Sequence, residues 1–121
     1  IKLLKTIINE KVSYEATTMN MFGQTLTDEK GDDVIKIVET SYAKLILDCM
    51  RLPQGQQGFT YEEIENINNA KKAIKEEKEG EISFEDATFK FIAQRVDKMG
   101  WGTPSMEFVK FKKYIKSINE K

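Results

Sequence analysis

The spacing of apolar residues changes about a third of the way along this chain. Before residue 40, Ile1–Ile8, Val12–Thr18 and Val34–Glu39 are short runs rich in β-branched residues, separated by turn-forming stretches. That pattern predicts extended segments or a small sheet. Ile1, Leu4 and Ile8 also fit one face of a short helix, so the opening segment reads either way. Val34–Glu39 alternates imperfectly, because Lys36 sits between Val34 and Val38, yet it is the best strand candidate.

After residue 40 the period becomes helical. Tyr42, Leu45, Ile46 and Cys49 share one face, with Thr40 as N-cap and Pro53 as the stop. Pro53–Gly58, with its proline, two glycines and three glutamines, is a loop. Thr60-x-x-Glu63 is a capping box that opens a second helix running to about Lys78, with a thin stripe of Ile64, Ile67 and Ile74 and a stop at Gly80. Ser83-x-x-Asp86 reads as the next start, for a helix from Phe84 to Met99 with Phe89, Ile92, Val96 and Met99 inward and Phe84, Phe91 and Ala93 widening the face. Gly100 suits its C′ position, and Trp101 would fold back on its last turn. Thr103-Pro104 opens a last helix to about Ile118, with Phe108, Phe111, Ile115 and Ile118 on one stripe. The expectation is one domain over residues 1–121 with a mainly α (α+β) fold. In it an extended or β element at 1–39 packs on a bundle of about four helices at 40–121.

Composition narrows the chemistry. A chain of 121 residues can bury a core without disulfides or metals. Its net charge of −1 gives no global drive toward nucleic acid or an anionic membrane. Histidine is absent, which removes the commonest general base near neutral pH and the commonest metal ligand. Cys49 is the only cysteine, so no intrachain disulfide or cysteine-cluster zinc site forms. One unpaired thiol, no apolar run near 20 residues and no signal-peptide pattern make the cytoplasm the expected compartment, with no membrane partner.

Candidate sites each have a structural reading beside the chemical one. Asp28–Asp33 gathers acids, but a lysine falls among them and the calcium-loop spacing is missing, so a solvated turn is expected. Glu62/Glu63 and Glu85/Asp86 sit in first helical turns, where acids complement the dipole. Cys49 lies on an apolar helix face and has no histidine partner. Gly55-Gln-Gln-Gly58 matches neither phosphate-loop nor dinucleotide motifs. The expectation is therefore no catalytic residues, no cofactor and no metal.

Charge is unevenly spread. Phe59–Asp86 holds nine acids against four lysines, whereas Ser105–Lys121 holds five lysines against two acids. Lys110, Lys112, Lys113 and Lys116 interleave with Phe108, Phe111 and Tyr114, so residues 84–118 admit a helix-turn-helix reading with a basic second helix. The alternative is a solvated face attracted to the acidic second helix. Trp101 is a partner anchor or a plug at the core's end. Met19, Met21 and Phe22 form an adaptable apolar surface for a partner or a cover for the bundle.

Gly58-Phe59-Thr60-Tyr61-Glu62-Glu63-Ile64, Ile82-Ser83-Phe84-Glu85-Asp86, Phe91-Ile92 and Arg95-Val96 together resemble small uncharacterised proteins encoded in bacteriophage and prophage gene clusters. The resemblance spans about half the chain and implies a small accessory protein that acts by binding. The expected function is a non-enzymatic protein-interaction module, with self-association possible and the identity of a protein partner open. The alternative is a DNA-binding regulator using the basic C-terminal helix.

Overall fold

Glu81-Ile82-Ser83-Phe84-Glu85 alternates polar and apolar side chains, and here the chain follows that period of two instead of the helix start expected at Ser83. The computed structural model describes residues 4–17, 22, 24–53, 55 and 57–121. In chain order its elements are β1 (Leu4–Ile8), β2 (Lys11–Thr17), β3 (Ile35–Ser41), α1 (Tyr42–Cys49), α2 (Tyr61–Lys75), β4 (Glu81–Glu85), α3 (Asp86–Lys98) and α4 (Met106–Asn119). The expected mainly α bundle is thereby corrected to a mixed α+β fold, with four helices and four strands in two antiparallel two-stranded sheets among the described residues.

The first sheet joins segments far apart in the sequence. β1 pairs with β4 so that Ile7 faces Ile82 and Lys5 faces Phe84. Ile7, Ile82 and Phe84 point into the core, while Leu4, Thr6, Ile8 and Ser83 lie on the outer face. This burial at every second residue makes Leu4–Ile8 a strand rather than a helix, while Ile1 of the expected helical face lies outside the described residues. Ser83 is no cap: its hydroxyl lies 2.8 Å from that of Thr6 across the sheet, and α3 starts two residues later with Glu85 as an N-cap that makes no side-chain cap bond. Within the expected extended or β element at 1–39, β1 takes its partner from residues 81–85.

The entry to β4 is a tight turn. Lys78 and Glu81 exchange two backbone hydrogen bonds of 3.0 Å around Glu79 and Gly80, both with positive φ. That geometry is the two-residue turn whose twist suits a strand, and glycine adopts it without steric cost. Helix α2 consequently ends at Lys75, three residues short of expectation, and Gly80 belongs to the turn rather than the helix end.

Of the three other helix starts, one forms where its residues predict. In the Thr60 box, Glu63 N–H donates to Thr60 Oγ1 at 3.2 Å, and Thr60 N–H donates to Glu63 Oε1 at 3.0 Å. Helix α1 is capped by Ser41, one residue after Thr40. Helix α4 is capped by Ser105, whose Oγ accepts from Glu107 N–H at 3.2 Å, so Thr103-Pro104 belongs to the preceding loop. Gly100 is not in the left-handed conformation that the expected helix stop requires.

One cluster of buried side chains draws on every element except β3. Phe84 and Phe89 lie at ring distance 5.9 Å, and Tyr42 packs on Phe111 at 5.1 Å and Tyr114 at 5.4 Å. Asn9, in the link from β1 to β2, binds three neighbours. Its N–H donates to Gly80 O at 2.8 Å, its Oδ1 accepts from Ala43 N–H at 2.9 Å in the first turn of α1, and its amide donates to Glu77 Oε1. Among the described residues no helix is long and apolar enough to cross a membrane.

The two hydroxyls at Thr60 and Ser83 have different expected sensitivities. Thr60→Ala should cost about 1 kcal/mol through loss of the cap. Ser83→Val, on the open face of a strand, should stay within about 0.5 kcal/mol because β-branching offsets the lost hydroxyl contact. Urea unfolding midpoints of the two variants test this; equal losses would return Ser83 to a capping role.

Candidate functional site

Strands β2 and β3 form a long hairpin that leaves the body almost at once. Lys11 pairs with Ser41, Tyr14 with Val38 and Thr17 with Ile35. Val12 at the base is buried, and Tyr14 stacks obliquely on Phe108 at 4.9 Å. A polar cleft of about 690 Å³, lined by residues including Lys11, Glu39, Lys44 and Glu77, runs along that base. Past Ala16 every described residue up to Asp33 is exposed. The tip is the expected solvated turn: Asp28 Oδ1 accepts from Lys30 N–H at 2.8 Å and from Asp32 N–H at 3.0 Å, and Gly31 takes φ 84°.

This arm carries large apolar side chains in water. Phe22 is 80% exposed, Ile37 61% and Ile35 56%, and Leu26 is also exposed. Met19 and Met21, expected beside Phe22, lie outside the described residues. Ile35 and Ile37 share the outer face of the hairpin with Thr17 and Glu15. They were legible as strand residues, but their exposure was not, since β-branched residues in a strand usually mark a buried face.

The other candidates fall elsewhere. Trp101 is half-buried, stacked parallel on Phe108 at 4.2 Å and edge-on to Phe111. It therefore packs on α4. Of the four lysines on α4, Lys110 pairs with Glu107 at 3.3 Å and Lys112 with Asp97 of α3 at 3.3 Å, while Lys113 and Lys116 are exposed. Helix α4 packs on α3, β1 and β2, and its ion partners come from α3 and from α4 itself, not from the acidic α2. Seven residues separate α3 from α4. Cys49 is buried, and desolvation with the nearby Asp48 charge pushes its thiol up to about 12, far from the thiolate range near neutral pH.

Sequence reasoning passed over Arg95. Its guanidinium is buried between α2 and α3, 3.7 Å from Glu63 Oε2, donating to Leu52 O and lying over the Phe91 ring at 5.6 Å. Arg95 Nε and Glu63 Oε2 have no hydrogen-bond partner. The Thr60 N–H bond, joined by the Arg95 charge, holds the Glu63 carboxyl below its ordinary value of 4.5. A second concavity of about 430 Å³ lies where the end of α1 meets α2, lined by residues including Leu47, Met50, Arg51, Phe59, Ile67 and Lys71.

No protein-family model, curated protein or solved structure matches this chain.

Glu63 sets an acid-dependent contribution to stability. A carboxyl lowered on folding stabilises the native state above its unfolded value and loses that contribution as pH falls through the folded value. The stability difference between wild type and Glu63→Gln should be largest near pH 7 and shrink as the pH falls from 4.5 through the lowered folded value, past which both side chains are neutral. Denaturation midpoints at pH 7, 5 and 3 measure it; a difference independent of pH would remove Glu63 as the source.

Proposed function

We propose that this chain is a non-enzymatic protein-interaction module that engages a protein partner through the β2–β3 arm. The observation that carries the reading is the apolar content of an arm that adds nothing to the core beyond its base. A two-stranded ribbon in water is marginal by itself, and large exposed side chains on it gain from being covered. Among the described residues no strand pairs with the outer edge of β3, and an extended segment of a partner can add to it through main-chain hydrogen bonds. Side chains on alternate residues, Ile35 and Ile37, then supply the apolar contact.

The cytoplasm is the compartment that goes with this reading, supported by the single unpaired and buried thiol of Cys49. An accessory role in a phage or prophage setting fits it as well, on the strength of the sequence resemblance. Nucleic-acid binding through α4 has weaker support. Two of its four candidate lysines already hold ion pairs, and its apolar face is committed to the core through Phe108, Phe111 and Ile115.

Immobilised wild-type protein should retain a defined protein, either from its host or a further copy of itself. Ile35→Lys/Ile37→Lys should lose more than about nine-tenths of that capture, while Lys113→Glu/Lys116→Glu leaves it unchanged. Quantitative mass spectrometry of the eluates decides the matter. Capture that survives the arm substitutions, or disappears with the lysine reversals, overturns the reading.

A further inference from the structure

The free edge of β3 fits a second copy of itself, and we infer that two chains pair antiparallel along it, about a two-fold axis at Ile37, to give a four-stranded sheet β2-β3-β3′-β2′. This rests on the reading of the arm as an interaction surface and names its occupant. The backbone direction comes first. Tyr42 N–H donates to Glu10 O, and Val34 N–H donates to Leu26 O, so even-numbered residues along this strand turn their amides toward the rest of the hairpin. By the alternation of an antiparallel ladder, Ile35, Ile37 and Glu39 turn theirs to the open edge. The strand is seven residues long and contains no proline, so neither short length nor a missing amide protects its edge, and its protecting charges are Lys36 and Glu39.

Charge then selects the register. A two-fold axis perpendicular to the sheet places the central residue of β3 opposite its own copy. Centring on Lys36 sets lysine against lysine, and centring on Glu39 sets glutamate against glutamate, both unfavourable. Centring on Val38 places each Ile37 against a glutamate. Centring on Ile37 sets isoleucine against isoleucine, with Ile35 opposite Glu39 and Lys36 opposite Val38 on the other face, and no like charges meet directly. In that register Ile35, Ile37 and Glu39 all present outward amides and carbonyls to matching groups. The outer face gains a continuous apolar centre from the two copies of Ile37. The net charge of −1 opposes association only weakly.

Sedimentation equilibrium across a concentration series tests the pairing. The wild-type chain should reach twice its 14.0 kDa mass. Ile37→Lys and Ile37→Glu should each weaken the dimer about tenfold or more, because each sets a charge against its own copy. An equimolar mixture of the two should restore the dimer, since lysine then faces glutamate. Ile35→Lys, opposite Glu39, should keep the dimer or tighten it. All these positions are exposed and outside the core, so thermal unfolding monitored by circular dichroism should confirm folded variants. A wild type that stays monomeric throughout overturns the pairing, as does a dimer indifferent to both Ile37 charges or a mixture no tighter than its components. A monomer that still captures a host protein through the arm overturns self-pairing alone and leaves the interaction module standing. Loss of arm-dependent capture together with a monomeric wild type overturns both.

Discussion

A guanidinium buried among helices has to be met on several sides, and Arg95 is met on three. It lies close to Glu63 at the start of α2, donates to the carbonyl of Leu52 just after α1, and rests over Phe91 of its own helix. Removing such a charge from water costs several kcal/mol unless its partners are fixed in place. The Thr60 capping box supplies that fixing, because one oxygen of Glu63 is held by the Thr60 N–H while the other faces Arg95. Capping and ion pairing thus act on the same carboxylate. The placement of α2 against α3, and of the chain leaving α1, depends on where that side chain must sit.

A second set of bonds does the same for the strands. Asn9 satisfies a first-turn amide of α1, reaches the turn before β4 through Gly80 and holds Glu77 beyond α2. Next to it, Tyr42 packs on Phe111 and Tyr114, and burial with the Glu10 carboxylate pushes its phenol up to about 12. Tyr114 returns the contact by accepting from Ile8 N–H at 2.9 Å. These residues fasten β1, the start of β2, α1 and α4 to one another. The fastening stops at Val12 and Tyr14, and the remainder of β2 lies outside the packed body.

How much of the fold was legible depends on the range of each signal. Helical stripes arise from local spacing, and Phe89, Ile92, Val96, Phe108, Phe111 and Ile115 are all buried where their periodicity placed them. The Thr60 box was legible because both of its hydrogen bonds lie within four residues. Ser83-x-x-Asp86 has similar local grammar, yet β1 arrives from nearly eighty residues away and takes Ile82 and Phe84 as strand partners. The alternation of Glu81–Glu85 carried that alternative, and a five-residue run is too short for period alone to decide against a cap. Arg95 was hidden for a related reason. An arginine on a helix of mixed polarity reads as solvated until the chain reversal at Leu52 and the start of α2 enclose it.

The arm carries apolar side chains that the packing of the core does not account for. Core packing explains Ile7, Ile82 and Phe84, because each removes apolar surface from water within the same chain. It does not explain Ile35, Ile37 or Phe22, which remain largely in water although the chain could place polar residues there without disturbing the core. Turn chemistry does not explain them either, since the Asp28 and Gly31 bonds that close the tip are independent of them. The strand order adds to this: β2 pairs with β3 on one side, and among the described residues no strand pairs with the other. The core cluster draws on no β3 side chain, yet among the described residues β3 carries exposed apolar side chains and an edge that no strand covers, and the proposed interaction rests on that pairing of features.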